Sequence, residues 1–340
     1  MEEGNLAGKK PVTLKTIGEK LNISATAVSK ALRGDRSISE ETTRKVKKLV
    51  EELNYRPNSI AKSLRTNETK TLGLVISDST LSLFAPVIEG VEKVASEKGY
   101  SIILADAHSN VEKEKEAVRT LVSHRIDGFM LATSMLTGEE HKSFLDSFGI
   151  PYLFLLRKCE YESGNYVIND NVYGTCQMIN HLIKTNSKRI HFINIAKSIT
   201  TAAERERGYR EALEANGIAF DKSIVYNVNP SFDEGYHQMS HILDAGEPVE
   251  TVFCGCDMIA VGAMNSIIEK GYRIPEDIRL ASYDDIEFAK YLRVPLTTVR
   301  QPKYRIGELG AQMLIEMITK DKDLHIDVVL KPELVLREST

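Results

Sequence analysis

Residues 13–32 read TLKTIGEKLNISATAVSKAL, and this stretch decides the fold of the first part of the chain. Thr13 and Ser24 each precede a short helical pattern, and their hydroxyls can accept hydrogen bonds from the free amides of a first turn. Asn22 lies between the two patterns, where its side chain tolerates a left-handed backbone. The stretch therefore predicts two helices joined by a turn, with apolar residues on one face of each at Leu14, Ile17, Leu21, Val28 and Leu32.

A third helical stripe follows this pair, with Ser39 as its expected cap and with apolar positions at Val46, Leu49, Val50 and Leu53. Three short helices around one small core make a helix-turn-helix domain. The sequence therefore predicts an all-α head over residues 11–57.

The outer face of the second helix carries the small or polar residues Ala25, Thr26 and Ser29, followed by the cation Lys30. Such a face can enter a DNA major groove, where a Lys donates to guanine O6 and N7. The helix N-terminus at Ser24 can bind a phosphate. The alternative is an ordinary amphipathic helix whose polar face is only solvated.

Charge is distributed unevenly along the chain. Residues 1–70 contain 15 Lys and Arg against 9 Asp and Glu, whereas the remaining residues are acidic and the whole chain has a net charge of −4. A basic N-terminal part on a mildly acidic body is typical of a DNA-binding head joined to a second domain. By itself this asymmetry is weak, because basic runs are often only solvated surfaces.

Several separate motifs in this chain resemble the lactose-repressor/galactose-repressor (LacI/GalR) family. In the head they are VSKALRG (28–34), LNYRPN (53–58) and IAKSL (60–64). Towards the C-terminus they are ASYDD (281–285), PLTTVRQP (295–302) and ELVLREST (333–340). The resemblance covers nearly the whole chain apart from about the first ten residues.

For the head, the resemblance implies base contacts by Ala25, Thr26 and Lys30. It also implies a hinge helix at residues 58–67, which forms when two subunits meet on DNA, with Leu64 as an apolar wedge in the minor groove. An exposed Leu on a short polar helix is costly unless it becomes buried, and an apolar side chain inserted between base steps kinks DNA. The predicted DNA-binding residues are Thr13, Ser24, Ala25, Thr26, Ser29, Lys30, Asn58, Ala61, Lys62, Leu64 and Arg65.

From Thr71 onward, short apolar runs alternate with helical patterns. Eight runs read as buried strands, at residues 72–76, 102–105, 128–131, 152–156, 190–193, 224–226, 251–254 and 278–281. This alternation predicts parallel sheets with helices on both faces. Roughly 270 residues is long for one such sheet and comfortable for two.

The family resemblance implies two doubly wound subdomains of the periplasmic-binding-protein type, with an effector cleft between them. The body would span residues 70–340. Its N-subdomain would comprise residues 70–168 and 297–325, and its C-subdomain residues 169–296 and 326–340. The chain would thus cross between the subdomains near 168, 296 and 325.

Ligands of open α/β sheets bind beyond the carboxyl ends of the strands, so the loops at those ends are the candidate effector site. Ser79, Leu83 and Phe84 follow the first strand, and Asp106 follows the second.

Arg157, Arg205 and Asp257 match pocket residues of the family, with Thr201 opening the helix of Arg205. Phe232 or Tyr226 is the candidate stacking aromatic. Each residue also has a structural alternative, such as a surface ion pair for Arg157 or a helix cap for Asp257. The predicted effector-binding residues are Ser79, Leu83, Phe84, Asp106, Arg157, Thr201, Arg205, Phe232 and Asp257.

Other classes of protein find little support in the chain. No stretch approaches the ~20 apolar residues of a membrane span, and the first residues do not read as a signal peptide. The four Cys residues of the chain show no metal-ligand spacing. His237 and His241 are spaced for zinc, but Gln238 replaces the Glu that would act as a base. We therefore expect a cytoplasmic protein without a metal, a cofactor or enzymatic activity.

These features predict a homodimeric repressor that binds palindromic operator DNA and responds to a small effector, a sugar or sugar derivative. One alternative is a family member controlled by a protein corepressor in carbon catabolite regulation. Another is a solute-binding protein without a regulatory role. An enzyme on the same scaffold is a third, which no catalytic constellation supports.

Overall fold

The computed structural model describes residues 12–55, 68–79, 81–133, 139–158, 165–320 and 325–340. The chain divides into two compact units, Met1–Thr69 and Lys70–Thr340, which we call the head and the body. Within the described residues, no helix is both long and apolar enough to cross a membrane.

The head contains the three predicted helices, α1 (Leu14–Leu21), α2 (Ala25–Leu32) and α3 (Glu40–Glu52). Asn22 ends α1 in the left-handed conformation, with φ of 55°, as predicted for the turn. Each predicted cap is confirmed, since its hydroxyl accepts a backbone N–H at 3.1–3.2 Å: Thr13 from Thr16, Ser24 from Ala27 and Ser39 from Thr42.

The core of the head is small and is closed by one tight backbone contact. A Cβ on Gly18 would lie 2.5 Å from the carbonyl oxygen of Ile23, so α1 can approach the start of α2 only because residue 18 has no side chain. Ile17, Val28, Ala31 and Val46 are fully buried between the helices. This contact and the caps fix how α2 is presented at the surface of the head.

The body contains two sheets, each of six described strands. The first sheet belongs to the N-subdomain, and all its pairs are parallel. Its strands are β1 (Thr71–Ile76), β2 (Ser101–Asp106), β3 (Gly128–Ala132), β4 (Tyr152–Leu155), β5 (Tyr166–Asn169) and β11 (Asp327–Leu330). Their order across the sheet is β11-β5-β4-β3-β1-β2.

The second sheet belongs to the C-subdomain and has the order β12-β10-β9-β8-β6-β7. Its pairs are parallel except for β10 with β12, which is antiparallel. The strands are β6 (Ile190–Ile195), β7 (Val225–Val228), β8 (Thr251–Cys254), β9 (Arg279–Asp284), β10 (Thr297–Arg300) and β12 (Glu333–Val335).

Helices cover both faces of each sheet, which confirms the predicted doubly wound architecture. Along β1, Leu74 and Ile76 point into one core cluster and Val75 into another. Along β6, Phe192 and Ile193 likewise enter different clusters. The body helices are α4 (Ala85–Glu97), α5 (Val111–Ser123), α6 (Glu139–Asp146), α7 (Asn171–Lys184), α8 (Thr200–Ala215), α9 (Phe232–Asp244), α10 (Asp257–Glu269) and α11 (Lys303–Thr319).

Two of the expected subdomain boundaries differ from the structure. β10 pairs with β9 of the C-subdomain, so the second crossing follows Arg300 rather than residue 296. β11 pairs with β5 of the N-subdomain, so the third crossing follows Leu330 rather than residue 325. β5, β10, β11 and β12 were not predicted from the sequence, and none of them contains more than three consecutive apolar residues.

Candidate functional sites

The predicted recognition face lies on α2 of the head. Thr26 is exposed, and Ala25, Ser29 and Lys30 are half-buried. Lys30 Nζ donates to Ser37 Oγ at 3.3 Å, which holds the cation beside the loop that precedes α3. The face therefore begins with small side chains and ends with one positioned cation.

The remaining predicted DNA-binding residues fall into two groups. Thr13 and Ser24 are exposed caps, and each hydroxyl already accepts one amide hydrogen bond. The hinge residues lie outside the described residues: Asn58, Ala61, Lys62, Leu64 and Arg65.

A pocket in the body lies beyond the carboxyl ends of strands from both sheets. Arg157 follows β4, Cys256 follows β8, Asp284 ends β9 and Gln301 follows β10. The free volume of the pocket is about 50 Å³. Its lining comprises Leu81, Ser82, Leu83, Leu156, Arg157, Ile195, Ile199, Thr201, Arg205, Pro230, Cys256, Met258, Asp284, Ile286 and Gln301.

Arg205 is held in the lining by hydrogen bonds to three other residues. Its guanidinium donates to Asn171 Oδ1 at 3.4 Å, to the carbonyl oxygen of Gly255 and to Asp284 Oδ1 at 3.3 Å. It also lies 4.0 Å above the ring centroid of Tyr283. With only 4% of Arg205 exposed, these contacts fix the guanidinium as part of the pocket wall.

Asp284 is held from several sides in a conformation unusual for its residue type. Its φ is +115°, a region that costs an L-residue roughly 1–3 kcal/mol and persists only where neighbours enforce it. Gln301 Nε2 donates to its carboxylate at 2.5 Å, and Lys303 Nζ donates to its carbonyl oxygen at 2.5 Å. Leu156, opposite in the lining, also has a positive φ, of 66°. Two lining residues of the pocket, one from each subdomain, thus have a positive φ.

Arg157 differs from Arg205 in having no fixed partner. Within the described chain, no hydrogen bond or ion pair engages its guanidinium, although the side chain is largely enclosed and lines the pocket. Desolvation, together with the nearby charge of Arg205, lowers the pKa of Arg157 to about 10. The group remains a cation at neutral pH.

Asp257 lies behind the lining rather than in it. It is fully buried, and its carboxylate accepts from the Ile286 amide at 2.7 Å and from Thr298 Oγ1 at 2.8 Å. Burial and the neighbouring Asp284 raise the pKa of Asp257 to about 7. Its carboxylate is therefore engaged with the protein and supports Ile286, which does line the pocket.

The structure brings together four of the nine predicted effector residues, namely Leu83, Arg157, Thr201 and Arg205. Phe84 is 1% exposed and packs in the core of the N-subdomain. Phe232 is 40% exposed, with its ring 6.4 Å from that of Phe288. Both aromatics are therefore absent from the lining: Phe84 is buried in the core, and Phe232 lies at the surface.

Ser79 and Asp106 also lie outside the lining and bind each other. The Ser79 amide donates to Asp106 Oδ2 at 2.7 Å, and the His108 amide donates to Oδ1 at 2.7 Å. Partial burial opposes ionisation of Asp106, but these hydrogen bonds outweigh it and lower the pKa of Asp106. The pair organises the loops after β1 and β2.

Asp284 and Gln301 are the polar lining residues that the sequence analysis missed. Each stands at or just after the carboxyl end of a strand, which is where the rule for ligands of open α/β sheets directs attention. That rule would have found both if the strand patterns had been extended into 281–285 and 295–302.

Comparison with known proteins now identifies the class. A family model described as bacterial regulatory proteins, lacI family, matches residues 13–58. A model for a periplasmic binding protein-like domain matches residues 179–340. The head and much of the body thus match two domain models in the order in which the structure presents them.

Relatives match over nearly the full length. The HTH-type transcriptional repressor PurR of Vibrio atlanticus is 35% identical over 329 residues, covering 96% of this chain and 98% of that protein. The ribose operon repressor of Haemophilus influenzae is 31% identical, with the same coverage. The solved structure of a lac repressor dimer bound to operator and the anti-inducer ONPF has a TM-score of 0.89 at 26% identity, covering 97% of this chain and 99% of that one. The chain belongs to the lacI family of DNA-binding transcription regulators, which confirms the resemblance read from the sequence.

Proposed function

We propose that this protein is a homodimeric, cytoplasmic repressor, without enzymatic activity, whose affinity for a palindromic operator is set by a small sugar-like effector bound in the body. One observation supports the proposal above all: the same chain contains a capped helix-turn-helix and a body whose pocket is lined by both subdomains. Twofold protein symmetry requires matching half-sites in the operator.

On the DNA side, Ala25, Thr26, Ser29 and Lys30 read base edges. Ala25 offers no hydrogen bond, so its readout is limited to apolar contact such as a thymine methyl. Thr13 and Ser24 bind phosphates, and their exposure leaves room for that contact. Leu64 is the minor-groove wedge, with Asn58, Ala61, Lys62 and Arg65 around it.

In the body, binding of an effector in the pocket changes the relative position of the N- and C-subdomains. Its free volume of about 50 Å³ is below the roughly 300–1,000 Å³ of typical ligand sites, so an effector must move the walls. Because both subdomains contribute to the walls, movement of the walls shifts one subdomain relative to the other. An effector that favours the DNA-free arrangement is an inducer, and one that favours the bound arrangement is a corepressor.

The test combines thermal unfolding with operator binding. Full-length protein is unfolded in the presence of sugars, sugar acids, sugar phosphates, nucleosides and purine bases, where a ligand at one hundred times its Kd adds ~2.7 kcal/mol of stability. Each hit is then added to an operator-binding titration. A hit that changes operator affinity supports the proposal and gives the sign of the coupling. Stabilising hits that leave operator affinity unchanged would contradict it, and a panel without hits would favour a protein corepressor.

Lys30→Ala should weaken operator binding by ~1–3 kcal/mol, the discrimination typical of one good base contact. Affinity for random DNA should fall much less, because phosphate contacts supply most of the non-specific binding. Fluorescence anisotropy at fixed salt with both DNAs measures the difference. Lys47→Ala is the matched control, since it removes an equally charged, exposed residue from α3. An equal loss on both DNAs would make Lys30 a phosphate contact.

As the pH rises from about 4 to 7, the free energy of unfolding of Asp257→Asn should increase relative to that of the unaltered protein. The pKa of Asp257 is raised from its ordinary 3.8 to about 7, so the folded protein binds more protons there than the unfolded chain across this window. Stability from the unaltered residue therefore falls with rising pH, whereas Asn does not titrate. Urea unfolding at pH 5 and pH 8 measures the change. Asp277→Asn is the control: its pKa is lowered to about 2 by Arg273, so its effect should be equal at both pH values.

A further inference from the structure

The first turn of α8 opens into the pocket without a cap. Its N-cap residue, Ile199, provides no side-chain hydrogen bond, and the turn contains no acidic residue. The positive end of the helix dipole and the free amides of a first turn favour an anion. Because α8 is 16 residues long, its N-terminus carries the full effect of the helix dipole.

Two hydroxyls in this turn lack partners. Thr201 is 5% exposed and lines the pocket, yet its hydroxyl makes no hydrogen bond within the described chain. The buried Oγ1 of Thr200 also has no partner there. Leaving a buried hydroxyl without a hydrogen bond costs free energy. The Thr201 hydroxyl can therefore donate to, or accept from, a ligand in the pocket.

Arg157 supplies a positive charge to the pocket from the N-subdomain. The lining has three charged residues, of which Arg157 and Arg205 are cations and Asp284 is the anion. Asp284 is paired with Arg205 at 3.3 Å, and no ion pair joins Arg157 to a described carboxylate. Asp284 and Glu114 attract the Arg157 charge only from a distance. Glu114 is engaged elsewhere, since its buried carboxylate accepts from Thr133 at 2.8 Å and lies 3.3 Å from His141.

We propose that the effector carries an anionic group, a carboxylate or a phosphate ester, which binds between the Arg157 guanidinium and the first turn of α8. The inference rests on the proposed effector role of the pocket and names the chemical class of its ligand. Leu83, Ile195, Met258 and Ile286 line the rest of the pocket and provide the apolar surface against which the carbon skeleton of such a ligand packs. The bound anion gives the enclosed Arg157 the partner that the described residues do not provide.

The first experiment compares matched neutral and anionic probes by calorimetry and thermal unfolding of the full-length protein. The pairs are glucose against gluconate, glucose against glucose 6-phosphate, and ribose against ribose 5-phosphate. We expect at least one anionic probe to bind on the order of tenfold or more tightly than its neutral partner, as one charge-assisted contact supplies. Gluconate and glucose 6-phosphate distinguish a carboxylate from a phosphate ester.

Arg157→Gln should reduce that preference by about tenfold or more, and Arg157→Lys should keep part of it because the charge remains. Lys158→Gln is the matched control, since it removes the same charge from an exposed neighbour outside the lining. An anionic preference that survives Arg157→Gln would overturn the assignment of the site. Equal binding of neutral and anionic probes would overturn the anionic class but leave the effector role intact. If no probe binds, the anionic class fails, and the wider panel described above decides the effector role.

A second readout needs no organic ligand. Arg157→Gln should leave the free protein at least as stable as before, because it removes an enclosed cation that has no ion-pair partner in the described part of the chain. Inorganic phosphate, compared with chloride at equal ionic strength, should raise the unfolding temperature of the unaltered protein by more than that of Arg157→Gln, since the general stabilising effect of phosphate acts on both proteins. A marked loss of stability in the variant without ligand would make Arg157 a structural cation and overturn the proposal.

Discussion

Arg205→Met should destabilise the body by ~3–5 kcal/mol, the cost of breaking a buried ion pair by removing one partner. The substitution leaves Asp284 buried without its cation and removes the donors to Asn171 and the Gly255 carbonyl. Urea unfolding of the full-length protein measures the loss. Any effector response should disappear as well, because the guanidinium forms part of the pocket wall.

Two further variants make this result specific. Arg207→Met removes an exposed Arg from the same helix, whose partner Glu211 lies 3.6 Å away, and such surface pairs contribute ~0–1 kcal/mol. Asp284→Asn combined with Arg205→Met should recover part of the lost stability, because no unpaired charge is then buried. A double variant as unstable as the sum of the two single variants would show that the pair does not cause the loss.

Gly262→Ala should also unfold the C-subdomain at markedly lower urea concentration. A Cβ at this position would lie 1.9 Å from the carbonyl oxygen of Phe232 and 2.6 Å from the amide nitrogen of Tyr236, both in α9. Gly235 makes the reciprocal close contact with the Ile259 carbonyl, at 2.1 Å. Because backbone atoms of one helix meet the added carbon of the other, α9 and α10 must separate, and overpacking of this kind costs ~1–3 kcal/mol or more.

The sign of the Gly262 effect is what makes the test informative. On an isolated helix, replacing Gly with Ala would be stabilising by ~1 kcal/mol. Asn265→Ala, at an exposed position of α10, serves as the control and should change stability little. A Gly262→Ala protein as stable as the unaltered one would mean that the two helices do not cross as closely as described. Met258 begins the same helix and lines the pocket, so effector binding should weaken together with stability.

Much of the fold could be predicted because its signals are local. The caps at Thr13, Ser24 and Ser39 and the central strands of both sheets were all identified from short patterns, since capping and strand burial depend on neighbours in the sequence. Four strands near the crossings, β5, β10, β11 and β12, were missed for the opposite reason. In β10, Thr297 and Thr298 are polar yet fully buried, because Ser339 and Asp257 bind them from distant parts of the chain.

The candidate effector site divides in the same way. The family resemblance, together with the position of Arg157 after a strand, was enough to predict that Arg157 and Arg205 face one pocket. It was not enough to separate Phe84, which turns into the core, from Leu83, which lines the pocket, because adjacent residues at a strand end can point to either side.

By itself, the sequence determined the class of the protein: a capped helix-turn-helix, alternating strands and helices, and motifs of one regulator family in the right order. Only the tertiary structure decided which charges are neutralised. Asp257 is bound within the protein, Asp284 is paired with Arg205, and Arg157 is left without a partner among the described residues. The physical reason is that desolvation and ion pairing depend on what surrounds a group in space, and its sequence neighbours do not specify those surroundings.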